Sequence, residues 1–268
     1  MNKKILASTL AAMLFSTSAT FAAPAAPPTD RETINQVALL QSLTLGYFDG
    51  SISVKNWKKF GDTGIGTFEG LDGEMIVLDG TIYRANVDCK INVVADNVTV
   101  PFSNVTFFDK DFSIKLNNVA DKAALEKILN DAVEKQGVNS FYMIKIKGNF
   151  DSVLVRSESG QKKPYPTLVQ ALKDQNEKTL QNINGTVVGL YCPNYMAGLN
   201  SVGWHFHFID DSKTYGGHVL QLAIKNGTAD IDKTENFAMK LPSQKNFNDY
   251  DYSQDLREQI RKAENDTK

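Results

Sequence analysis

All three histidines of this 268-residue chain, His205, His207 and His218, lie in one stretch, GWHFHFIDDSKTYGGHVL. His205 and His207 are one residue apart. On a strand, alternate side chains share a face, so the two imidazoles project together. Trp204, Phe206 and Phe208 then face the other way, into a core. DDSKTYGG is polar with two glycines and reads as a turn. A hairpin symmetric about the point between Ser212 and Lys213 sets position 207 opposite position 218. Opposite residues share a face, with Cβ atoms roughly 5 Å apart. A bulge at Gly216 or Gly217 would alter that register. Three neutral imidazoles on a rigid hairpin make a Zn²⁺ site with a coordination position left open, the catalytic pattern. Imidazole also accepts Cu, Ni or Fe(II), so ligand type alone does not fix the metal. A His-x-His pair by itself more often marks the exposed face of a strand. The third histidine across the turn carries the metal reading. Asp211 reads as a turn residue, and Asp210 is open to a role as outer partner of an imidazole.

The elements that must position this hairpin are mostly strands. GIGTFEGLDGEMIVLDGTIYRANVD alternates apolar and polar residues around Asp72-Gly73 and Asp79-Gly80, so residues 64–86 read as a meander. VTVPFSNVTFF, FYMIKIKG and SVLVRS read as further strands. GTVVGLYCP, WHFHFI, GHVLQLAIKNG, TADIDK and NFAMKLP continue the pattern. Three helices are expected. DKAALEKILNDAVEKQG has Leu125, Ile128, Leu129, Ala132 and Val133 on one face, Asp121 to cap it and Gly137 to stop it. TLVQALKDQ is shorter, capped by Thr167, and YSQDLREQIRKAEN closes the chain. The fold class is α+β: β-rich, with mixed or antiparallel sheets in two halves, a few helices, and the metal site on a β-hairpin.

The N-terminus reads as a secretory signal peptide over residues 1–22, with two lysines, an apolar run from Ile5 to Phe15 and then small residues. The apolar run is too short to span a bilayer. Cleavage after Ala22 or Ala23 leaves a Pro/Ala linker over residues 23–34, then an N-terminal sheet-rich half (35–165) and a C-terminal half (166–268) carrying the metal hairpin and a closing helix. The expected product is exported, periplasmic or extracellular, with no membrane anchor after cleavage. A net charge of −2 without a basic stripe argues against nucleic acid. Cys89 and Cys192 allow one bridge or two buried thiols. Long edge strands make a homodimer an expectation.

GTFEGLDGEMIVLDGTIYR, KPYPTLVQALKDQ, GTVVGLYCPNYMAGLNSVGWHFHFIDDSKTYGGHVL and MKLP resemble, in order, the blocks of the acetolactate decarboxylases. The resemblance runs from about residue 60 to the C-terminus. It implies a zinc lyase that converts 2-acetolactate to (R)-acetoin and CO2. It implies that His205, His207 and His218 hold the zinc, and that Glu74, Arg156 and a C-terminal glutamate do the remaining work. Glu264 is the match by its distance from LP, with Glu258 as competitor. Trp204 departs from the family's frequent Tyr.

The chemistry suits those groups. 2-Acetolactate is a β-keto acid, and losing CO2 pushes two electrons toward the ketone. A Lewis acid stabilises that charge, Arg156 can grip the carboxylate bidentately, and Glu74 or Glu264 with a raised pKa can deliver a proton. One extra methylene is worth only about 1–3 kcal/mol in such a pocket, so 2-aceto-2-hydroxybutyrate is an expected second substrate. Without the resemblance, Glu74 reads as an acid beside a turn, Arg156 as a strand surface arginine and Glu264 as a tail residue. Two competing readings are another three-histidine zinc enzyme, a hydrolase or hydratase, and a non-catalytic exported metal-binding β protein.

Overall fold

A computed structural model describes residues 30–265. The signal peptide and most of the linker lie outside the described residues, and the linker's last two positions, Thr33 and Ile34, already belong to a strand. The first eight strands are β1 (Thr33–Val37), β2 (Ile52–Ser53), β3 (Thr63–Thr67), β4 (Glu74–Leu78), β5 (Thr81–Ala85), β6 (Ile91–Val93), β7 (Thr99–Val100) and β8 (Ser103–Thr106). Six more follow: β9 (Phe112–Val119), β10 (Phe141–Ser157), β11 (Asn176–Cys192), β12 (Gly203–Asp210), β13 (Gly216–Thr234) and β14 (Asn236–Lys240). The helices are α1 (Leu40–Thr44), α2 (Val54–Trp57), α3 (Lys122–Gln136), α4 (Leu168–Ala171) and α5 (Arg257–Asn265).

Among the described residues, the strands form two large sheets and a small β2-β7 pair. One runs β14-β1-β8-β3-β4-β5-β6 and is mixed, because β14 lies parallel to β1. The other runs β10-β11-β12-β13-β9 and closes on itself through a β10–β13 pairing. The division expected at residue 165 does not coincide with a sheet boundary. The closed sheet takes β9 and β10 from before it, and β14 crosses back to the first sheet.

Several strands are longer than their sequence patterns. FYMIKIKG and SVLVRS join into the seventeen-residue β10. GHVLQLAIKNG and TADIDK join into β13. The glycines that looked like strand ends face one another across the sheet: Gly148 pairs with Gly185 on one side and Gly227 on the other. A row without Cβ atoms lets three strands bend together rather than stop. VTVPFSNVTFF breaks into β7 and β8 at Pro101, which cannot donate to a ladder.

The expected meander is β3-β4-β5. Its Asp79-Gly80 turn joins Leu78 to Thr81 with both central residues at positive φ, as a type I′ turn requires. α3 starts at an Asp121 cap that accepts from the Ala124 amide and buries Leu125, Leu129 and Val133 in the core of the closed sheet. Trp204, Phe206 and Phe208 join that core as expected. α5 begins later than expected, where the Asp255 carboxylate accepts from the Arg257 amide. Two short helices, α1 and α2, had no periodic signal. Cys89 and Cys192 are buried free thiols.

Candidate active site

The hairpin register is the one the sequence suggested. His207 pairs with His218, Phe208 with Gly217 and Ile209 with Gly216. No bulge intervenes, because the Gly-Gly pair resolves a crowded crossing. Gly217 has φ +153, and a Cβ there would sit 2.4 Å from the Arg156 carbonyl oxygen. Asp210 organises the turn: its carboxylate accepts from the amides of Thr214 at 2.8 Å and Tyr215 at 2.7 Å. It is therefore a turn organiser and not an imidazole's partner.

His205 Nε2 lies 2.9 Å from His218 Nδ1 and 3.2 Å from His207 Nε2. The ligand atoms of the three rings lie within 4.8 Å of one another, the one such group found among the described residues. The outward nitrogens are tied to backbone. His207 Nδ1 donates to the Met75 carbonyl at 2.7 Å, and His218 Nε2 to the Glu264 carbonyl at 3.0 Å. Each bond fixes a tautomer that turns a lone pair inward, as metal-binding histidines require. Burial first, then the nearby Arg156 cation, holds His205 down at about 3. Burial likewise depresses His207 and His218 well below the usual range. All three rings are thus neutral donors near pH 7. Neutral, inward-facing, closely spaced imidazoles fit a divalent cation.

The expected acids and the arginine gather around the rings. Glu74 opens β4, with Oε2 3.4 Å from His207 Nε2. Glu264, on α5, has Oε2 3.3 Å from His205 Nε2. Arg156 pairs directly with His218 across β10 and β13 and so shares its face. Glu258 is exposed and bonds Arg261, so geometry favours Glu264. The arginine fork is partly occupied: Nη1 donates to Gln175 Oε1 at 3.2 Å and Nη2 to the Ala263 carbonyl. Buried Arg156 Nε, Glu158 Oε2 and Glu264 Oε2 make no hydrogen bond within the protein. Such atoms suit a polar, charged guest, because buried polar groups are normally satisfied.

Sequence reasoning missed Glu158, 1 % exposed and beside Glu74. Its signal was available: it lies two positions beyond Arg156, just past the end of β10, where continued alternation would keep it on the arginine's side. Burial and repulsion from Glu158 raise Glu74 well above the carboxylate range, against the opposing pull of Arg156. Burial pushes Glu158 to about 7 and also raises Glu264. Three acids facing one arginine cannot all ionise in a dry site without another cation. Leu40, Leu43, Leu71, Phe102, Leu168 and Leu172 wall the rest of the cavity.

The family model for alpha-acetolactate decarboxylase matches residues 34–254. This chain belongs to that family. The match covers the hairpin, Glu74 and Arg156 and stops ten residues before Glu264. The chain is 39% identical over 233 residues to the alpha-acetolactate decarboxylase of Methanosarcina mazei, covering 87% of this chain and 80% of the relative. It is 37% identical over 246 residues to that of Brevibacillus brevis, covering 92% and 86%. The crystal structure of the Bacillus subtilis strain 168 enzyme superposes with a TM-score of 0.84 at 34% identity, covering 87% of this chain and all of that one. The chain is accordingly a carboxy-lyase, and its three histidines form a candidate metal centre for that activity.

Proposed function

We propose that the protein is an exported, zinc-dependent lyase that converts 2-acetolactate to (R)-acetoin and CO2. The observation that carries this reading is the convergence of three neutral imidazoles beside an arginine and three buried acids, in a chain of this family. Held by His205, His207 and His218, Zn²⁺ would supply Lewis acidity toward the substrate's ketone and hydroxyl oxygens.

The protein's own groups do the rest. Arg156, oriented by Gln175 and the Ala263 carbonyl, offers its unpartnered Nε and remaining N–H groups to the substrate carboxylate. The leucine and Phe102 walls exclude water, which strengthens that attraction. As the carboxylate leaves as CO2, the electron pair moves to the ketone and an enediolate forms. Glu74 or Glu264, each kept protonated more readily by burial, donates a proton to carbon from one side. Delivery from one fixed side yields a single enantiomer. The apolar wall receives the alkyl group, and the pocket's modest discrimination admits 2-aceto-2-hydroxybutyrate.

The test is acetoin formation from racemic 2-acetolactate by mature protein, zinc-loaded and metal-stripped, against the spontaneous reaction, with chiral analysis of product. Activity lost on stripping and regained with zinc supports the reading. Zinc binding without acetoin above background favours a hydrolase or hydratase. Export rests on residues 1–22, and sequencing the mature N-terminus tests it. A homodimer through the β14 edge of the seven-stranded sheet is tested by sedimentation.

A further inference from the structure

The proposed reaction consumes one proton per turnover. The bond from the substrate carbon to its carboxylate breaks, the electron pair stays with the substrate and CO2 leaves. A C–H bond then forms with a proton that comes ultimately from water. Yet the acids of the site are buried: Glu74 is 7 % exposed, Glu158 is 1 % exposed, and only 11% of the Glu264 side chain reaches solvent. Away from its polar groups the substrate cavity is walled by five leucines and Phe102, which carry no protons.

A second cavity meets the same centre and shares only His205, His218 and Glu264 with the first. Lys122, Glu126, Asn130 and Ser201 give it a polar lining. Its volume of about 180 Å³ holds several waters. It reaches the surface beside Val202, which is 40% exposed. Lys122 occupies the first position of α3, fixed there by the Asp121 cap. Its side chain is 12% exposed, and its Nζ lies 3.8 Å from Glu126 Oε1. Burial lowers the Lys122 pKa and raises that of Glu126, bringing the two closer together. A narrower gap in proton affinity eases transfer. The lysine also disfavours this cavity as a path for metal cations.

We propose that this second cavity is the inlet for water and protons, with Lys122 and Glu126 passing protons from bulk solvent toward Glu264, the one acid of the substrate site that lines it. The proposal rests on the decarboxylase reading above. The acid that has protonated carbon regains a proton from cavity water. That water recovers one from the Lys122 ammonium, and the resulting amine recovers one through Glu126 from solvent. One proton leaves solution for each CO2 released. Lys122 is thus a positioning and relay residue and does not touch substrate.

The test uses the full-length mature protein, zinc-loaded. Lys122→Met is expected to lower kcat roughly tenfold, with KM and zinc content unchanged. Its solvent deuterium isotope effect on kcat should rise as proton delivery becomes limiting. Lys122→Arg keeps the charge but cannot release a proton, so it should stay as slow as the Met variant, whereas added methylamine should restore part of the Met variant's rate. Val202→Trp plugs the mouth at an exposed position and should show the same isotope signature without altering a charge. The inlet is overturned if Lys122→Met and Val202→Trp both keep the wild-type kcat and isotope effect. It is overturned equally if Lys122→Met changes KM alone. A wild-type protein that forms no acetoin removes the underlying reading and the inlet together. An active wild type with indifferent variants removes only the inlet.

Discussion

Two regions supply the site, and they are built in opposite ways. The β12–β13 hairpin holds its histidines in backbone ladders to β11 and β10, with Phe206 and Phe208 buried behind them. The C-terminal segment brings Glu264 on a nine-residue helix outside either sheet. That helix docks through Leu256, Ile260 and Ala263 against Leu40, Leu43, Phe102 and Leu168. The segment before it is tied by the Tyr47–Phe247 edge contact and by Gln41 Nε2 donating to the Tyr252 and Gln254 carbonyls. A ligand set that must fit a cation closely sits on the rigid element. An acid that closes the cavity sits on a helix outside either large sheet, held by side-chain packing rather than by backbone ladders, where local opening costs less.

The sharpest break of this contrast is at the hairpin. His207→Ala should bring turnover down to the spontaneous background and weaken metal affinity by at least about 100-fold, measured by metal analysis after dialysis. Truncation before Ala263 removes Glu264, a carbonyl partner of Arg156 and the carbonyl that holds His218. It should weaken metal affinity by about 10–100-fold, less than His207→Ala does, while lowering kcat about 10²–10⁴-fold. Full activity would take Glu264 out of the chemistry. Phe208→Ala should cost about 3–5 kcal/mol of global stability, read from urea midpoints. Ile260→Ala should instead show as early proteolysis of the C-terminal segment, with the main urea transition little moved. If Ile260→Ala shifts the main transition as far as Phe208→Ala does, the two regions unfold as one unit and the contrast fails.

The smallest effects concern pH. Burial lifts Glu158 from 4.5 to about 7. Between those values the folded protein holds a proton that the unfolded chain has lost. The stability linked to Glu158 is therefore complete below about pH 4.5 and falls as pH rises through about 7. In metal-free protein, Glu158→Gln should flatten the stability profile across that window. Glu258→Gln, at an exposed residue that bonds Arg261, should leave activity within experimental error.

Much of the fold was legible where the signal is local. The capped α3, the Asp79-Gly80 turn and the histidine register follow from spacing and turn chemistry over fewer than twenty residues. The merging of strands at Gly148, Gly185 and Gly227 was not legible, because a glycine marks an end or a bend depending on what lies opposite. Glu74, Arg156 and Glu264 were nominated by family likeness alone, each an ordinary charged residue in its own segment. Glu158 and Lys122 were passed over. Their burial depends on β4, α3 and α5 arriving from distant parts of the chain.

The sequence by itself determined that three imidazoles share one face of a hairpin, since strand alternation and turn length are properties of adjacent residues. Only the tertiary structure decided that those imidazoles stay neutral and that three acids crowd one arginine beside them. Desolvation and charge proximity arise between segments far apart in the chain, and they come into being only when the two sheets and the C-terminal helix close around one cavity.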